Sequence, residues 1–202
     1  MFTGLIQHQG TLLERTEHPS GVRLVVGTDE WAHRPDQGDS IAINGCCLTV
    51  VEADEETLQF DAIPTTLNLT TIGTLPLQSR VNLEHAATPT TLLGGHLVQG
   101  HVEAQGTVLS NETDPERGWL LKLEVPEAVG RFMIEKGSIA IDGVSLTIAT
   151  LEGTRVEVAL IPETLDRTNL RGLQAGDRVN LESDCLAKMV GKLLERTQTP
   201  GG

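Results

Sequence analysis

The residues of this chain that could do chemistry come in matched pairs. Residues 40–84 laid over 138–182, at a constant offset of 98, set Cys47 opposite Ser145. Both lie shortly after a turn doublet, Asn44-Gly45 or Asp142-Gly143, and both are followed by Leu-Thr. A thiol or a hydroxyl can attack an electrophilic carbon or polarise a ring through a hydrogen bond. Two small side chains filling equivalent places in a core would explain the same pairing. Thr49 with Thr147, and Thr66 with Thr164, add hydroxyls suited to a polar heterocycle. A second match, at an offset of 96, puts Gly4-Leu5-Ile6 over Gly100-His101-Val102. One copy has therefore gained an imidazole where the other carries an alkyl chain. An imidazole titrates near neutrality, so His101 is the best candidate for proton transfer. Asn44 and Asp142 are explained first by the turn they occupy.

These pairs need elements to position them, and the elements are duplicated too. The longer match holds 18 identities in 45 positions without a gap and ends on Arg80-Val81-Asn82-Leu83-Glu84 over Arg178-Val179-Asn180-Leu181-Glu182. A period near 98 is too long for a solenoid repeat and describes whole domains. The expected division is residues 1–93, 94–185 and a terminal segment, 186–202, that has no counterpart. Leu58, Phe60 and Ala62 alternate with polar neighbours, as do Val81 and Leu83, which is the signature of half-buried strands. Asn-Gly and Asp-Gly between β-branched runs predict two-residue hairpins, and short strands in a unit of this size imply a closed barrel or a sandwich. Pro64 and Pro162 are placed to start short helices. Residues 86–96 read as a linker. Leu186, Met189, Val190, Leu193 and Leu194 fall on one face of a helix that Ser183 or Asp184 could cap.

Composition removes several classes of function. A net charge of −13 argues against nucleic acid and anionic membrane as partners. No apolar run approaches the length of a membrane span. The start, Met1-Phe2-Thr3-Gly4, enters repeated sequence directly, so no secretory signal is expected. Three cysteines without framework spacing suggest a reduced, cytoplasmic chain. His96 and His101 are five residues apart and make a poor chelating pair, while Cys46 and Cys47 point to opposite faces of a strand, so no metal site is expected. There is no dinucleotide fingerprint, no phosphate-binding loop and no nucleophile elbow.

The assembled motifs resemble the α-type riboflavin synthase family over essentially the whole chain. The resemblance rests on Met1-Phe2-Thr3-Gly4-Leu5-Ile6, Asn44-Gly45-Cys46-Cys47-Leu48-Thr49-Val50 and Gly94-Gly95-His96-Leu97-Val98-Gln99-Gly100-His101. Ile141-Asp142-Gly143-Val144-Ser145-Leu146-Thr147 and Ile161-Pro162-Glu163-Thr164-Leu165 complete it. It implies an all-β fold of two tandem six-stranded antiparallel Greek-key barrels with a C-terminal α-helix. It also implies a homotrimer held by that helix, with each active site between barrels of different subunits. Two molecules of 6,7-dimethyl-8-ribityllumazine would exchange a four-carbon unit, giving riboflavin and a 5-amino-6-ribitylaminouracil, with no cofactor. Non-catalytic lumazine- or flavin-binding relatives share the fold. Retention of His96, Gly100, His101, Ser145, Thr147 and Ile161-Pro162-Glu163-Thr164 favours the enzyme.

By the same resemblance, ligand in the first barrel would contact Gly4, Leu5 and Ile6, then Cys47, Leu48 and Thr49, then Asp61, Ala62, Ile63, Pro64, Thr65 and Thr66. In the second barrel the matching contacts are Gly100, His101 and Val102, then Ser145, Leu146 and Thr147, then Leu160, Ile161, Pro162, Glu163, Thr164 and Leu165, with Lys136 nearby. Thr65 departs from the pattern, standing where the second copy keeps Glu163. The lumazine C7 methyl is acidic because its carbanion delocalises into the ring, so a weak base suffices. Holding two heterocycles in opposed register can be worth roughly 7–11 kcal/mol, and hydrogen bonds to the ring anion add to it. His101 would transfer protons, and Cys47, Ser145 and Ser40 would polarise the ring or add to it. Thr147, Asp142 and Asp184 would orient the second ligand or relay protons.

Overall fold

Alternating side chains in short runs give strands, and the duplicated runs give the same strands twice. The computed structural model describes residues 1–198. The first barrel is built from β1 (His8–His18), β2 (Gly21–Gly27), β3 (Ser40–Ile43), β4 (Cys46–Ala53), β5 (Thr57–Ala62) and β6 (Arg80–His85). The second uses β7 (Ala104–Asp114), β8 (Gly118–Glu124), β9 (Ser138–Ile141), β10 (Val144–Glu152), β11 (Arg155–Leu160) and β12 (Arg178–Ser183). Both are closed and antiparallel, ordered β1-β2-β5-β4-β3-β6 and, equivalently, β7-β8-β11-β10-β9-β12. The long strands bend at β-bulges, after Leu12 and Val50 in one barrel and after the equivalent Val108 and Ile148 in the other. Such bulges supply the curvature that closure needs.

Short helices follow the fifth strand of each barrel: α1 (Pro64–Leu69) and its copy, here numbered α3 (Pro162–Arg167) after the single-turn α2 (Glu127–Gly130). Both have proline in the first turn, where its missing N–H costs nothing. Each barrel has its own core, around Leu24, Phe60 and Leu83 in the first and Leu121, Ile139 and Leu181 in the second. Asn44, Gly45, Asp142 and Gly143 all have positive φ, as the two-residue hairpin turns require.

β6 and β12 depart from the half-buried pattern. Asn82, Glu84, Asn180 and Glu182 are as buried as the apolar residues beside them. Their outer faces do not meet water because they form the seam between the barrels. There the two hairpin turns meet back to back: a Cβ on Gly45 would lie 2.7 Å from Gly143 N, and one on Gly143 2.7 Å from Gly45 N. Asn82 Nδ2 donates to Asp142 O at 2.9 Å and Asn180 Nδ2 to Asn44 O at 2.8 Å, so amides cross the seam in both directions. Asn169 N–H donates to Asn82 Oδ1 and Thr71 N–H to Asn180 Oδ1, extending the network to the turns after α1 and α3. Buried amides satisfied in this reciprocal way fix one relative placement of the barrels.

The chain finishes in α4 (Cys185–Gln198). The last four residues of the expected terminal segment, 199–202, lie outside the described residues. Asp184 caps the helix, its Oδ1 accepting Leu186 N–H at 2.8 Å, whereas Ser183 is committed to Glu103. Lys188 Nζ donates to Glu103 at 2.7 Å and ties the first turns to the second barrel. The apolar stripe faces outward: Leu186, Met189, Val190, Leu193 and Leu194 are each 55–62% exposed.

Candidate functional site

The segments preceding β1 and β7 exchange barrels, and this decides how each candidate site is made. Phe2 pairs with Val98 in an antiparallel bridge at the junction, packed with Ala42 and Ala140. From there Gly4 runs across the second barrel, where its carbonyl accepts the Ser145 N–H at 2.8 Å and Ile6 packs against that barrel's core. Reciprocally, Gly100 O accepts the Cys47 N–H at 2.9 Å, and Val102 sits in the core of the first barrel. The family resemblance implied Gly4–Ile6 with Cys47 and Gly100–Val102 with Ser145. The structure corrects this pairing: the segments are swapped, because the Phe2–Val98 bridge sends each one over the other barrel. Both contacts need glycine. At Gly4 a Cβ would lie 2.5 Å from Ser145 Cβ, and at Gly100 2.7 Å from Cys47 Cβ, each at a positive φ.

On the second barrel this arrangement encloses a cleft of about 290 Å³ lined by Gly4, Leu5, Ile6, Val144, Ser145, Glu163, Thr164, Arg167 and Thr168. Ser145 Oγ is hydrogen-bonded to His96 Nδ1 at 2.7 Å. His96 is 9% exposed, and its backbone N–H donates to Thr3 O at 3.2 Å. Burial pushes the imidazole below its ordinary range, with the charge of Asp184 acting the other way. Burial thus favours the neutral ring, and the Nε2–H tautomer leaves Nδ1 free to accept from the Ser145 hydroxyl. The ring Nε2 is buried without a hydrogen-bond partner among the described residues. Gly95 closes over the pair, since a Cβ there would meet Ser145 Oγ at 2.9 Å. The stretch read as a linker therefore covers the site.

On the first barrel the equivalent face carries half-buried Cys47 and Ser40, with Ser40 paired across the hairpin to exposed Thr49. His101 reaches this face from the second repeat, and its side chain is exposed. Cys46 turns into the core, where burial pushes its thiol up to about 12. Ser138 and Thr147 make the matching pair on the second barrel. Ile63, Pro64, Thr65, Ile161, Pro162 and Glu163 are exposed at the rims, and Thr66 and Thr164 half-buried beside them.

Several expected ligand contacts are committed elsewhere. Asp142 is 2% exposed within the seam, its carboxylate accepting from Asn180 N and Asn169 Nδ2, so it cannot touch a ligand. Asp61 forms a two-pronged ion pair with Arg23 at 2.8 and 2.9 Å, which holds its carboxyl below the usual range. The side chains of Leu48, Ala62, Val102, Leu146, Leu160 and Leu165 are core residues, leaving their backbone for contact. Exposed Lys136 has a left-handed φ of +64° and its Nζ lies 3.4 Å from Ala149 O. Asp184 faces His96 electrostatically while capping α4.

Sequence reasoning weighed His96 as a metal ligand and as one of the retained family residues, gave it no role, and missed its bond to Ser145, 49 residues away. It also passed over Glu84 and Glu182. Glu84 accepts the N–H groups of Thr3 and Gly4 and the Thr3 hydroxyl. Glu182 accepts those of Gln99, Gly100 and His101. Burial raises both carboxyls above their ordinary range, against the pull of these donors. Their identity in both repeats was the available signal.

Comparison with known proteins agrees with this architecture. The model of the lumazine binding domain matches twice, over residues 3–86 and 99–184. Riboflavin synthase of Mycobacterium tuberculosis strain H37Rv is 41% identical over 199 residues, covering 96% of this chain and 98% of the relative. Riboflavin synthase of Escherichia coli K12 is 36% identical over 197 residues, covering 97% and 92%. A crystal structure of LumP complexed with riboflavin superposes with a TM-score of 0.80 at 26% identity, covering 91% of this chain and 99% of that one. With two matched domains spanning most of its length, the chain belongs to the lumazine-binding domain family.

Proposed function

We propose that the protein is a riboflavin synthase, transferring a four-carbon unit between two molecules of 6,7-dimethyl-8-ribityllumazine to give riboflavin and 5-amino-6-ribitylaminouracil. The observation that carries this reading is the Ser145–His96 pair at a cleft in a lumazine-binding fold. A binding protein needs a cleft. A hydroxyl backed by a neutral buried imidazole is in addition a proton acceptor, and the reaction begins by taking a proton from the acidic C7 methyl. Relatives matched over 90–98% of their length at 33–41% identity are riboflavin synthases.

In this reading one lumazine lies against Gly4–Ile6 and Ser145–Thr147, near the rim at Leu160–Leu165. The other lies against Gly100–Val102 and Cys47–Thr49, near the rim at Asp61–Thr66. Ser145 and His96 take the methyl proton from the first ligand. Cys47 and Ser40 polarise the second, and His101 exchanges protons with solvent from its exposed position. The two faces that meet belong to different subunits of a homotrimer, joined through the apolar stripe of α4. Burying such side chains contributes about 1.5–3 kcal/mol each, less the cost of association. The enzyme works in the cytoplasm, where Cys46, Cys47 and Cys185 remain free thiols.

The test is to mix the purified protein with the dimethyl-lumazine alone, in the presence of chelator, and follow flavin absorbance. Flavin should appear without nucleotide or metal. Two lumazines bound per chain with no flavin formed would move the protein to the non-catalytic binders.

A further inference from the structure

Glu182 and Glu84 hold backbone that lies on the barrel opposite their own. Glu182, on β12 of the second barrel and 3% exposed, accepts Gln99 N–H at 2.7 Å and the Gly100 and His101 N–H groups at 2.9 Å each. The turn gathered in this way rests on the first barrel, since Gly100 O receives the Cys47 N–H. The backbone of His101 is thus fixed by two anchors, one on each barrel. Glu84, on β6 of the first barrel and 2% exposed, mirrors this by holding Thr3 and Gly4, whose carbonyl receives the Ser145 N–H.

The chemistry demands a carboxylate. It is an acceptor with two oxygens and about four lone-pair sites, enough for three converging donors. An amide would turn an NH₂ toward at least one N–H and leave that donor buried and unpaired. We infer that Glu182 and Glu84 are positioning residues acting on the ligand face of the opposite barrel, Glu182 through Gly100 and His101 onto Cys47, and Glu84 through Gly4 onto Ser145. The inference rests on the functional reading above for what the faces bind, while the geometry of the clamp stands apart from it.

Peptide-resolved hydrogen exchange of the full-length E182Q and E84Q variants tests this, first without ligand. E182Q should speed exchange at Gly100, His101 and Cys47 by roughly ten-fold or more while leaving Gly4 and Ser145 unchanged, and E84Q should do the reverse. In a riboflavin titration, E182Q should lose protection over residues 46–49 and keep it over 145–147. A carboxylate serving only its own barrel would loosen β12 and its neighbours and leave Cys47 untouched. That outcome, or equal loosening of both faces, overturns the inference. Should E182Q fail to fold, Glu182→Asp keeps the charge and withdraws the carboxylate by one methylene from the Gln99, Gly100 and His101 N–H groups. It must weaken protection over 46–49 alone, and equal loss on both faces is the contrary result. Wild-type protein with no riboflavin protection on either face would sink the functional reading, and the ligand-free exchange would still decide the clamp.

Discussion

Asn44 and Asp142 hold equivalent posts in the two barrels: Asn44 Oδ1 accepts the N–H of Asn82 at 2.7 Å, and Asp142 Oδ1 that of Asn180 at 2.8 Å. Asn169 Nδ2 reaches both side chains, at 3.3 and 3.2 Å. One copy is an amide and the other an ionisable carboxyl, and the partners of Asp142 are amide side chains and backbone.

Burial raises Asp142 from an ordinary 3.8 to about 7. The folded value lies above the unfolded one, so folding favours the protonated form. That stability is fully present below about pH 4 and is lost as pH rises through 7. Asp142→Asn should therefore stabilise the protein at pH 8 by on the order of 1–3 kcal/mol, with the difference vanishing below pH 4. Thermal unfolding across that range measures it. A variant no more stable than wild type at pH 8 would mean the charge is accommodated in the seam.

Ser145→Ala and His96→Gln should each lower turnover by roughly 100-fold. The double variant should be little worse than either single change, because the two side chains act as one unit. Since burial depresses His96, the acid limb of the turnover profile should lie below the ordinary imidazole range. Multiplying losses in the double variant would separate the two residues.

His101→Leu makes the second repeat like the first, where Leu5 holds the equivalent place. The His101 side chain is exposed and its hydrogen bond to Glu182 comes from the backbone, so the fold should be unaffected. Turnover should fall by roughly 100-fold. Near-normal turnover at saturating lumazine would leave His101 a surface residue.

Deleting residues 186–202 removes the apolar stripe of α4 together with Lys188, whose partner Glu103 keeps Ser183. Both barrels should still fold, since each has its own core. Sedimentation should report a monomer that binds lumazine and forms almost no flavin. A monomer with full activity at high dilution would place the two ligands within one chain.

The sequence alone determined the features that depend on near neighbours or on repetition. Alternation of Leu58, Phe60 and Ala62 marks a strand because successive side chains point to opposite faces. Asn44-Gly45 and Asp142-Gly143 mark hairpins because both residues of each turn need positive φ. Duplication told that whatever one barrel is, the other is as well. The candidate residues Cys47, Ser145 and His101 stood out because they are places where two copies of one segment differ.

What the tertiary structure decided depends on contacts between the copies, and a repeat alignment contains no information about those. The crossing of Gly4 onto Ser145 and Gly100 onto Cys47 follows from the Phe2–Val98 bridge, formed between residues 96 apart. Asp142 looked like a catalytic carboxyl beside Ser145 until the seam buried it among asparagines. Asn82, Glu84, Asn180 and Glu182 alternate with apolar residues as if they faced water. They are buried because a second barrel covers that face, and buried polar groups persist only where their partners are supplied from across the seam.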